Sequence, residues 1–388
     1  MHPGSHPPSR GSHRPAPLWD DPVVMTKGPD TRALALQSGA PSDDGERVIR
    51  ARMASPTPPG GMRGHASPAA LLAGPPGQAA AILRWYESHA RDLPWRRATA
   101  TPWAVLVSEI MLQQTPVARV LPAYEAWLAR WPTPPALAAA APADAVRQWG
   151  RLGYPRRALR LHSAAQVISE RHGGEVPSSV EALLALPGVG SYTAAAVASF
   201  AFGQRHPVLD TNVRRVLARM AVGQQWPASS TTAAEIALAR SLLPERPQVA
   251  ARWSVAVMEL GALVCTAARP RCAACPVAAA CAWRLAGSPA GNGRRGSQPY
   301  EGTDRQCRGR LLAILRDSDG PVPAAHLHAA WPDAGQRNRA LASLITDGLA
   351  EPHPDGGYAL PAHPPGARAG QQRGDPPAVQ LAAGGDAG

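Results

Sequence analysis

The chain has 388 residues, of which 45% are hydrophobic. It contains no run of 18 or more apolar residues, which is the pattern that would predict a membrane span. Residues 1–15 lack the apolar segment of a secretory signal. The net charge of +12 favours a polyanionic partner such as nucleic acid, although a basic surface can also serve solubility alone. Lys27 is the single lysine, so arginine carries nearly all of the positive charge.

Composition divides the chain into a helical body, a small second unit and three low-complexity segments. Enrichment in Pro, Gly and Ser predicts disorder over residues 1–76 and 363–388 and a linker over 286–302. Helical periodicity without convincing alternating strands predicts a nearly all-α body over 77–285, with helices that include 103–114 and 211–220. Three helices and a hairpin over 303–362 resemble a winged helix, although other small α+β units fit the pattern.

The first chemical motif is the segment from Ser108 to Thr115. Glu109 lies in an otherwise apolar predicted helix, where a carboxylic acid tends to have a raised pKa. A solvated glutamate on an amphipathic face is the plainer interpretation, and this segment alone favours it.

The second motif is the turn Leu186-Pro187-Gly188-Val189-Gly190 between two predicted helices. Its glycines permit a tight turn, and the helix that follows begins near Ser191 with free backbone N–H groups that can bind a phosphate. The pattern indicates the hairpin of a helix-hairpin-helix motif, which grips DNA without reading its sequence. A simple connection between helices is the alternative.

The third and fourth motifs are Asp210 and a group of four cysteines. Asp210 precedes a predicted helix, so it can be an N-cap, a catalytic carboxylate or both. The cysteines follow the pattern Cys265-x6-Cys272-x2-Cys275-x5-Cys281, and four thiolates so close in sequence predict a metal centre. Zinc sites more often contain two CxxC pairs, but spacing alone leaves zinc and a [4Fe–4S] cluster both open.

Together, these motifs in this order resemble the helix-hairpin-helix glycosylases of the endonuclease III superfamily, and among them the MutY-type adenine glycosylases. The resemblance covers about residues 77–285 and includes the segments 91–96 and 150–154. It implies a two-lobed all-α fold with a six-helix lobe at about 101–206 and a cleft between the lobes. It also implies a [4Fe–4S] cluster on the four cysteines and double-stranded DNA with a flipped-out adenine as substrate.

The resemblance also implies residue roles. Glu109 is expected to protonate adenine as general acid, and ionised Asp210 to stabilise the cationic sugar. Tyr192 stands where the lyase relatives carry a nucleophilic lysine. Trp95, Arg96 and Glu259 are expected to hold the adenine, whereas Gln114, Thr115, Leu152 and Tyr154 are expected to enter the duplex and contact an opposing 8-oxoguanine. The full set of predicted DNA contacts is Arg91, Trp95, Arg96, Gln113, Gln114, Thr115, Leu152, Tyr154, Leu186, Gly188, Val189, Gly190, Arg214 and Glu259. For Leu152 and Tyr154, packing in the core is the alternative.

The sequence therefore predicts a monofunctional adenine-specific DNA N-glycosylase of base-excision repair, acting on adenine opposite 8-oxoguanine or guanine. We expect a cytoplasmic, nucleoid-associated monomer. The MutT-like domain that reads 8-oxoguanine in this family is not recognisable in the sequence. Fewer sequence features therefore support recognition of 8-oxoguanine than support the removal of adenine. One alternative is an endonuclease III-like glycosylase/lyase for oxidised pyrimidines, against which Tyr192 argues. The other is a structural DNA-binding protein with a redox cluster, against which Glu109 and Asp210 argue.

Overall fold

The computed structural model describes residues 76–291 and 300–362. The predicted disordered segments and the middle of the predicted linker lie outside these ranges. Helices dominate the described residues, which confirms the all-α prediction for the body. None of the described helices is long and apolar enough to cross a membrane.

The elements follow one another with short connections. The helices of the body are α1 (Pro76–His89), α2 (Pro102–Met111), α3 (Val117–Arg130), α4 (Pro134–Ala138), α5 (Pro142–Trp149), α6 (Arg156–Arg171), α7 (Val180–Leu184), α8 (Ser191–Phe202), α9 (Thr211–Leu217), α10 (Ala233–Leu242), α11 (Pro247–Leu263) and α12 (Ala282–Leu285). The C-terminal elements are α13 (Asp304–Asp317), β1 (Val322–Pro323), α14 (Ala324–Ala329), α15 (Ala334–Thr346), β2 (Glu351–Pro352) and β3 (Gly357–Ala359).

Backbone contacts divide the chain into two compact units. The described part of the first comprises 93–202 and 300–362, and that of the second comprises 76–92 and 203–291. In the first unit, α2 begins where the Thr101 hydroxyl accepts a hydrogen bond from Ala104 N at 3.2 Å, with Pro102 at the first helical position. The core of its helical part holds Trp127, whose ring meets Trp131 and Trp149 edge to face.

The C-terminal elements of the first unit form a small α+β fold. Its three strands form an antiparallel sheet in the order β1-β3-β2. The hairpin of β2 and β3 confirms the sequence prediction, and β1 is an additional strand. A Cβ at Gly357 would lie 2.5 Å from the Val322 carbonyl oxygen, so only glycine fits where β3 crosses β1. Cys307, the fifth cysteine, belongs to α13 and is buried in the core of this fold.

In the second unit, α1 and α9 both pack on α11. The predicted helix over 211–220 is α-helical only to Leu217 and continues as a π-helical turn over Ala218–Val222. Gly223, with φ of 79°, ends it in the left-handed region that glycine adopts without strain. A Cβ at Gly261 would lie 2.7 Å from Asn212 Cβ, so this glycine permits the close approach of α9 to α11.

Candidate active site

Glu109 lies inside the first unit. Every residue of α2 from Trp103 to Met111 is buried, and Glu109 itself is 5% exposed. The interpretation of Glu109 as a solvated residue on an amphipathic face is therefore wrong. A carboxyl group in such a helix has the environment that the sequence predicted for a general acid.

Arg157, which sequence analysis did not single out, holds the end of the Glu109 helix. Its buried guanidinium donates through Nη1 to the carbonyl oxygens of Ile110, Met111 and Gln113 at 2.8, 3.0 and 2.5 Å. These bonds occupy carbonyls that a longer helix would use internally, so the helix predicted over 103–114 ends at Met111. Burial lowers the pKa of Arg157 to about 10, so the side chain remains cationic at neutral pH.

The same guanidinium joins two turns. Through Nη2, Arg157 donates to Thr115 Oγ1 at 2.9 Å and to the Gly153 carbonyl oxygen at 3.1 Å. Each turn contains a non-glycine residue with positive φ, Gln114 at 56° and Tyr154 at 48°. Such backbone persists only where the surroundings fix it, and it concentrates at functional sites.

The predicted duplex-contacting residues in these turns differ in exposure. Tyr154 is 53% exposed and available to DNA, and its ring lies 5.4 Å from the Arg157 guanidinium. Leu152 and Thr115 are buried, and the Thr115 hydroxyl donates a hydrogen bond of 3.3 Å to the Leu152 carbonyl oxygen. The burial of Leu152 agrees with the core-packing alternative, and the duplex contacts of Leu152 and Thr115 stay predictions.

The turn from Leu186 to Gly190 precedes the first turn of α8, as the helix-hairpin-helix interpretation requires. Leu186 and Val189 are buried, whereas Gly188 and Gly190 are exposed, so the backbone of the turn faces solvent at these two glycines. Gly188 has φ of 80°, and a Cβ there would lie 2.7 Å from Arg160 Cβ. Both the conformation and the close packing require glycine at this position.

Gln113 and Trp95 are two more predicted site residues that lie in the first unit. Gln113 Nε2 donates to Thr193 Oγ1 at 3.3 Å, next to the half-buried Tyr192 in the first turn of α8. Trp95 is buried, and its ring meets Tyr124 edge to face at 5.0 Å. The Trp95 ring is thus part of the core of the first unit, whereas Arg96 beside it is half-exposed.

Asp210, in the second unit, is the N-cap of α9. Its Oδ1 accepts a hydrogen bond from Val213 N at 2.6 Å, and its Oδ2 accepts one from Asn212 Nδ2 at 2.9 Å. Burial raises the pKa of Asp210, while these two hydrogen bonds and the charge of Arg215 act in the opposite direction. The carboxylate is therefore costly to bury but has the donors that stabilise its ionised form.

Arg215 connects Asp210 with the cysteine segment. Its Nη2 donates to Asn212 Oδ1 at 2.8 Å and to the Gly261 carbonyl oxygen at 2.7 Å. Its Nε donates to the Cys265 carbonyl oxygen at 2.7 Å. A continuous series of hydrogen bonds thus runs from Asp210 through Asn212 and Arg215 to the first cysteine.

Glu259 and Arg214, two predicted contacts to the substrate, each form an ion pair within the second unit. Glu259 has no exposed surface, and its two oxygens accept hydrogen bonds from Arg91 Nε and Nη2, both at 2.7 Å. Arg214 pairs with Glu235 at 2.9 Å, and its side chain is only 10% exposed. In the second unit Glu259, Arg91 and Arg214 thus take part in ion pairs, and their base and DNA contacts stay predictions.

The four clustered cysteines line one cavity of the second unit. All four are free thiols, and Arg219 and Trp283 line the same cavity. Arg219 Nη1 lies 3.4 Å from Cys265 Sγ as a hydrogen-bond donor. Burial raises the pKa of Cys275 to about 11 and also raises that of Cys281. As the side chains stand, no three His, Cys, Asp or Glu residues in the described ranges are arranged to hold a metal ion.

Comparison with known proteins places the chain in a family. Residues 107–240 match the HhH-GPD superfamily base excision DNA repair proteins. The adenine DNA glycosylase of Mycobacterium tuberculosis (strain CDC 1551 / Oshkosh) is 54% identical over 283 residues, which cover 72% of this chain and 92% of that protein. The chain belongs to the adenine DNA glycosylase family. The human adenine DNA glycosylase is 44% identical over 210 residues, which cover 52% of this chain and 38% of the human protein.

As a member of this family, the chain is an adenine-specific DNA N-glycosylase of base-excision repair, and DNA is its partner. The fold agrees with this membership. A solved structure of a thermostable thymine-DNA glycosylase has a TM-score of 0.50 and 28% identity, over 54% of this chain and 96% of that one.

The residues that sequence analysis missed in this adenine DNA glycosylase are mainly arginines: Arg157, Arg215 and Arg219. Each is buried although it belongs to a strongly basic chain. These arginines lie on the apolar faces of α6, of α9 and of the π-helical turn that follows α9, and this position is the sequence signal that could have identified them. An arginine on an apolar face is expected to be buried, where it requires several hydrogen-bond acceptors.

Proposed function

We propose that this enzyme hydrolyses the N-glycosidic bond of adenine opposite 8-oxoguanine or guanine, as a monofunctional glycosylase, on an adenine flipped out of the duplex. The observation that carries the proposal is Glu109, buried in α2 with the end of its helix fixed by Arg157. We further propose that the enzyme is a monomer located in the cytoplasm with the nucleoid.

In the proposed mechanism, Glu109 donates a proton to the adenine ring, which makes the base a better leaving group. As the bond between base and sugar breaks, positive charge develops on the sugar, and the Asp210 carboxylate stabilises it. Water then attacks the sugar and leaves an abasic site. Tyr154, exposed on its strained turn, is the candidate contact to the base opposite adenine.

The test is a panel of duplexes with adenine opposite 8-oxoguanine, adenine opposite guanine, thymine opposite guanine, and thymine glycol. We expect excision only from the two adenine duplexes, with strand breaks only after alkali treatment. Excision of thymine glycol with strand cleavage in the absence of alkali would establish the endonuclease III-like alternative instead. A preference for thymine opposite guanine would contradict the proposed substrate.

A second prediction concerns strand cleavage. A lyase forms a Schiff base through an amine, and Tyr192 stands at the position where the lyase relatives carry lysine. Lys27 is the single lysine, and arginine remains protonated at working pH. Borohydride added during turnover should therefore trap no covalent protein–DNA adduct, measured by denaturing electrophoresis. A strong adduct that persists in Lys27→Arg, where only the terminal amine remains, would refute the claim.

We also propose that Cys265, Cys272, Cys275 and Cys281 hold a [4Fe–4S] cluster. The support is the donor set: four thiols line one cavity without forming disulfides, and Arg219 beside Cys265 can donate to a thiolate. When bound, such a cluster would supply structural cross-linking of this segment. Arg269, Arg271 and Arg284, which lie in or beside it, would then be held where they can contact phosphates.

The purified protein should be brown, with about four iron atoms per chain, as a [4Fe–4S] cluster requires. Cys272→Ser should lose iron and DNA affinity together, because metal binding contributes to folding of the segment. Cys307→Ser is the matched control, since Cys307 is buried in the C-terminal fold and should leave iron content unchanged. A colourless, zinc-containing and fully active preparation would contradict this assignment.

A further inference from the structure

The C-terminal fold of residues 300–362 contacts the segment that carries Tyr154 at both of its ends. On the N-terminal side, Arg316 of α13 donates to the Gly150 carbonyl oxygen, and Arg147 Nη2 donates to the Ser318 carbonyl oxygen at 3.2 Å. On the C-terminal side, Arg156 Nη1 lies 3.0 Å from Asp347 Oδ1. The segment 150–156 is thus fixed to the C-terminal fold before and after Tyr154.

The charge of the C-terminal fold does not suit phosphate binding. Residues 300–362 contain six arginines and eight carboxylates, a net charge of −2, within a chain whose net charge is +12. Proteins that grip the DNA backbone neutralise phosphates with unengaged cations. Each of the six arginines already has a partner: Tyr300 for Arg305, Asp347 for Arg308, Trp331 for Arg310, Gly150 for Arg316, Trp331 and His328 for Arg337, and Asp304 for Arg339.

The segment needs such support. Tyr154 combines φ of 48° with 53% exposure, and Gly150 and Gly153 also have positive φ. A strained and exposed residue keeps one conformation only when contacts on several sides fix its backbone. Arg157 contacts the Gly153 carbonyl oxygen and Arg119 contacts that of Arg151, so the C-terminal fold supplies the remaining side.

We propose that the C-terminal fold is a specificity element that positions Tyr154 for the opposite base without binding DNA itself. The proposal rests on the proposed role of Tyr154. Arg316 is a positioning residue in this account: it acts through the conformation of the 150–154 turn. The winged-helix resemblance then describes only the shape of the fold and not a DNA-reading function.

A double-mutant cycle in the full chain tests the proposal. Single-turnover excision is measured with adenine opposite 8-oxoguanine and opposite guanine for Arg316→Met, Tyr154→Ala and the double variant. Arg316→Met should lower the preference for 8-oxoguanine over guanine by about tenfold, the size expected for one charge-assisted hydrogen bond. In the Tyr154→Ala background the same substitution should have no further effect, because both changes remove one interaction.

The matched control is Arg339→Met, which removes an exposed ion pair with Asp304 inside the C-terminal fold. It should leave affinity, its salt dependence and base preference unchanged. Additive effects of Arg316→Met and Tyr154→Ala would overturn the positioning role, as would loss of DNA affinity with a reduced salt slope in Arg339→Met. If Tyr154→Ala alone left the base preference unchanged, the proposed opposite-base contact would fail first. Circular dichroism and Tm of each variant identify a change that is only structural.

Discussion

Glu109→Gln should abolish adenine excision and leave DNA binding within a few-fold of the parent protein. The amide keeps the size and the buried position of the carboxyl group in α2, but it cannot deliver a proton to adenine. Loss of a general acid costs about 10²–10⁴-fold in rate. Single-turnover excision and a binding titration on the same duplex, adenine opposite 8-oxoguanine, measure the two quantities separately.

Glu125→Gln provides the control for this prediction, because Glu125 is an exposed glutamate on α3 of the same unit. It should excise adenine at the parent rate. A near-normal rate in Glu109→Gln would eliminate the proposed general acid. Equal loss of binding and excision would instead indicate that Glu109 supports the fold of the lobe.

Asp210→Asn should also remove excision by orders of magnitude while the protein remains folded. Asparagine caps helices about as well as aspartate, so Val213 N keeps an acceptor and α9 keeps its start. The substitution removes the negative charge that is proposed to stabilise the cationic sugar. Because burial raises the pKa of Asp210, the ionised form is the costly one in the folded protein, and we expect the Tm of Asp210→Asn at neutral pH to be unchanged or higher.

The control is Asp333→Asn, which makes the same exchange at the cap of α15, where Asp333 accepts a hydrogen bond from Gln336 N at 2.7 Å. Its activity should not change. The pH dependence adds a second measurement: protonation of Asp210 should reduce the rate on acidification, beginning at a higher pH than for an ordinary aspartate. Full activity of Asp210→Asn would reduce Asp210 to a cap alone.

Sequence analysis anticipated those features of the site that depend on neighbours in the chain. The turn at Gly188, the cap at Asp210 and the cysteine spacing are local patterns, so they could be recognised directly. The partners of Glu259 and Arg157 could not, because Arg91 is 168 residues from Glu259 and the Ile110 carbonyl is 47 residues from Arg157. The burial of Leu152 likewise follows from tertiary packing, which a single sequence does not reveal.

The hydrogen-bond series from Asp210 through Asn212 and Arg215 to Cys265 links the cysteine segment to the proposed catalytic carboxylate through one guanidinium. If the segment around Cys265 unravels, Arg215 loses the carbonyl acceptor of Cys265, and its guanidinium is held less firmly against Asn212, whose amide donates to Asp210. Damage to the segment should therefore abolish excision activity rather than reduce the specificity of the enzyme for its base. For a protein that removes bases from the genome, this is a safe way to fail, because an idle glycosylase leaves a mispair whereas an indiscriminate one would create abasic sites in intact DNA.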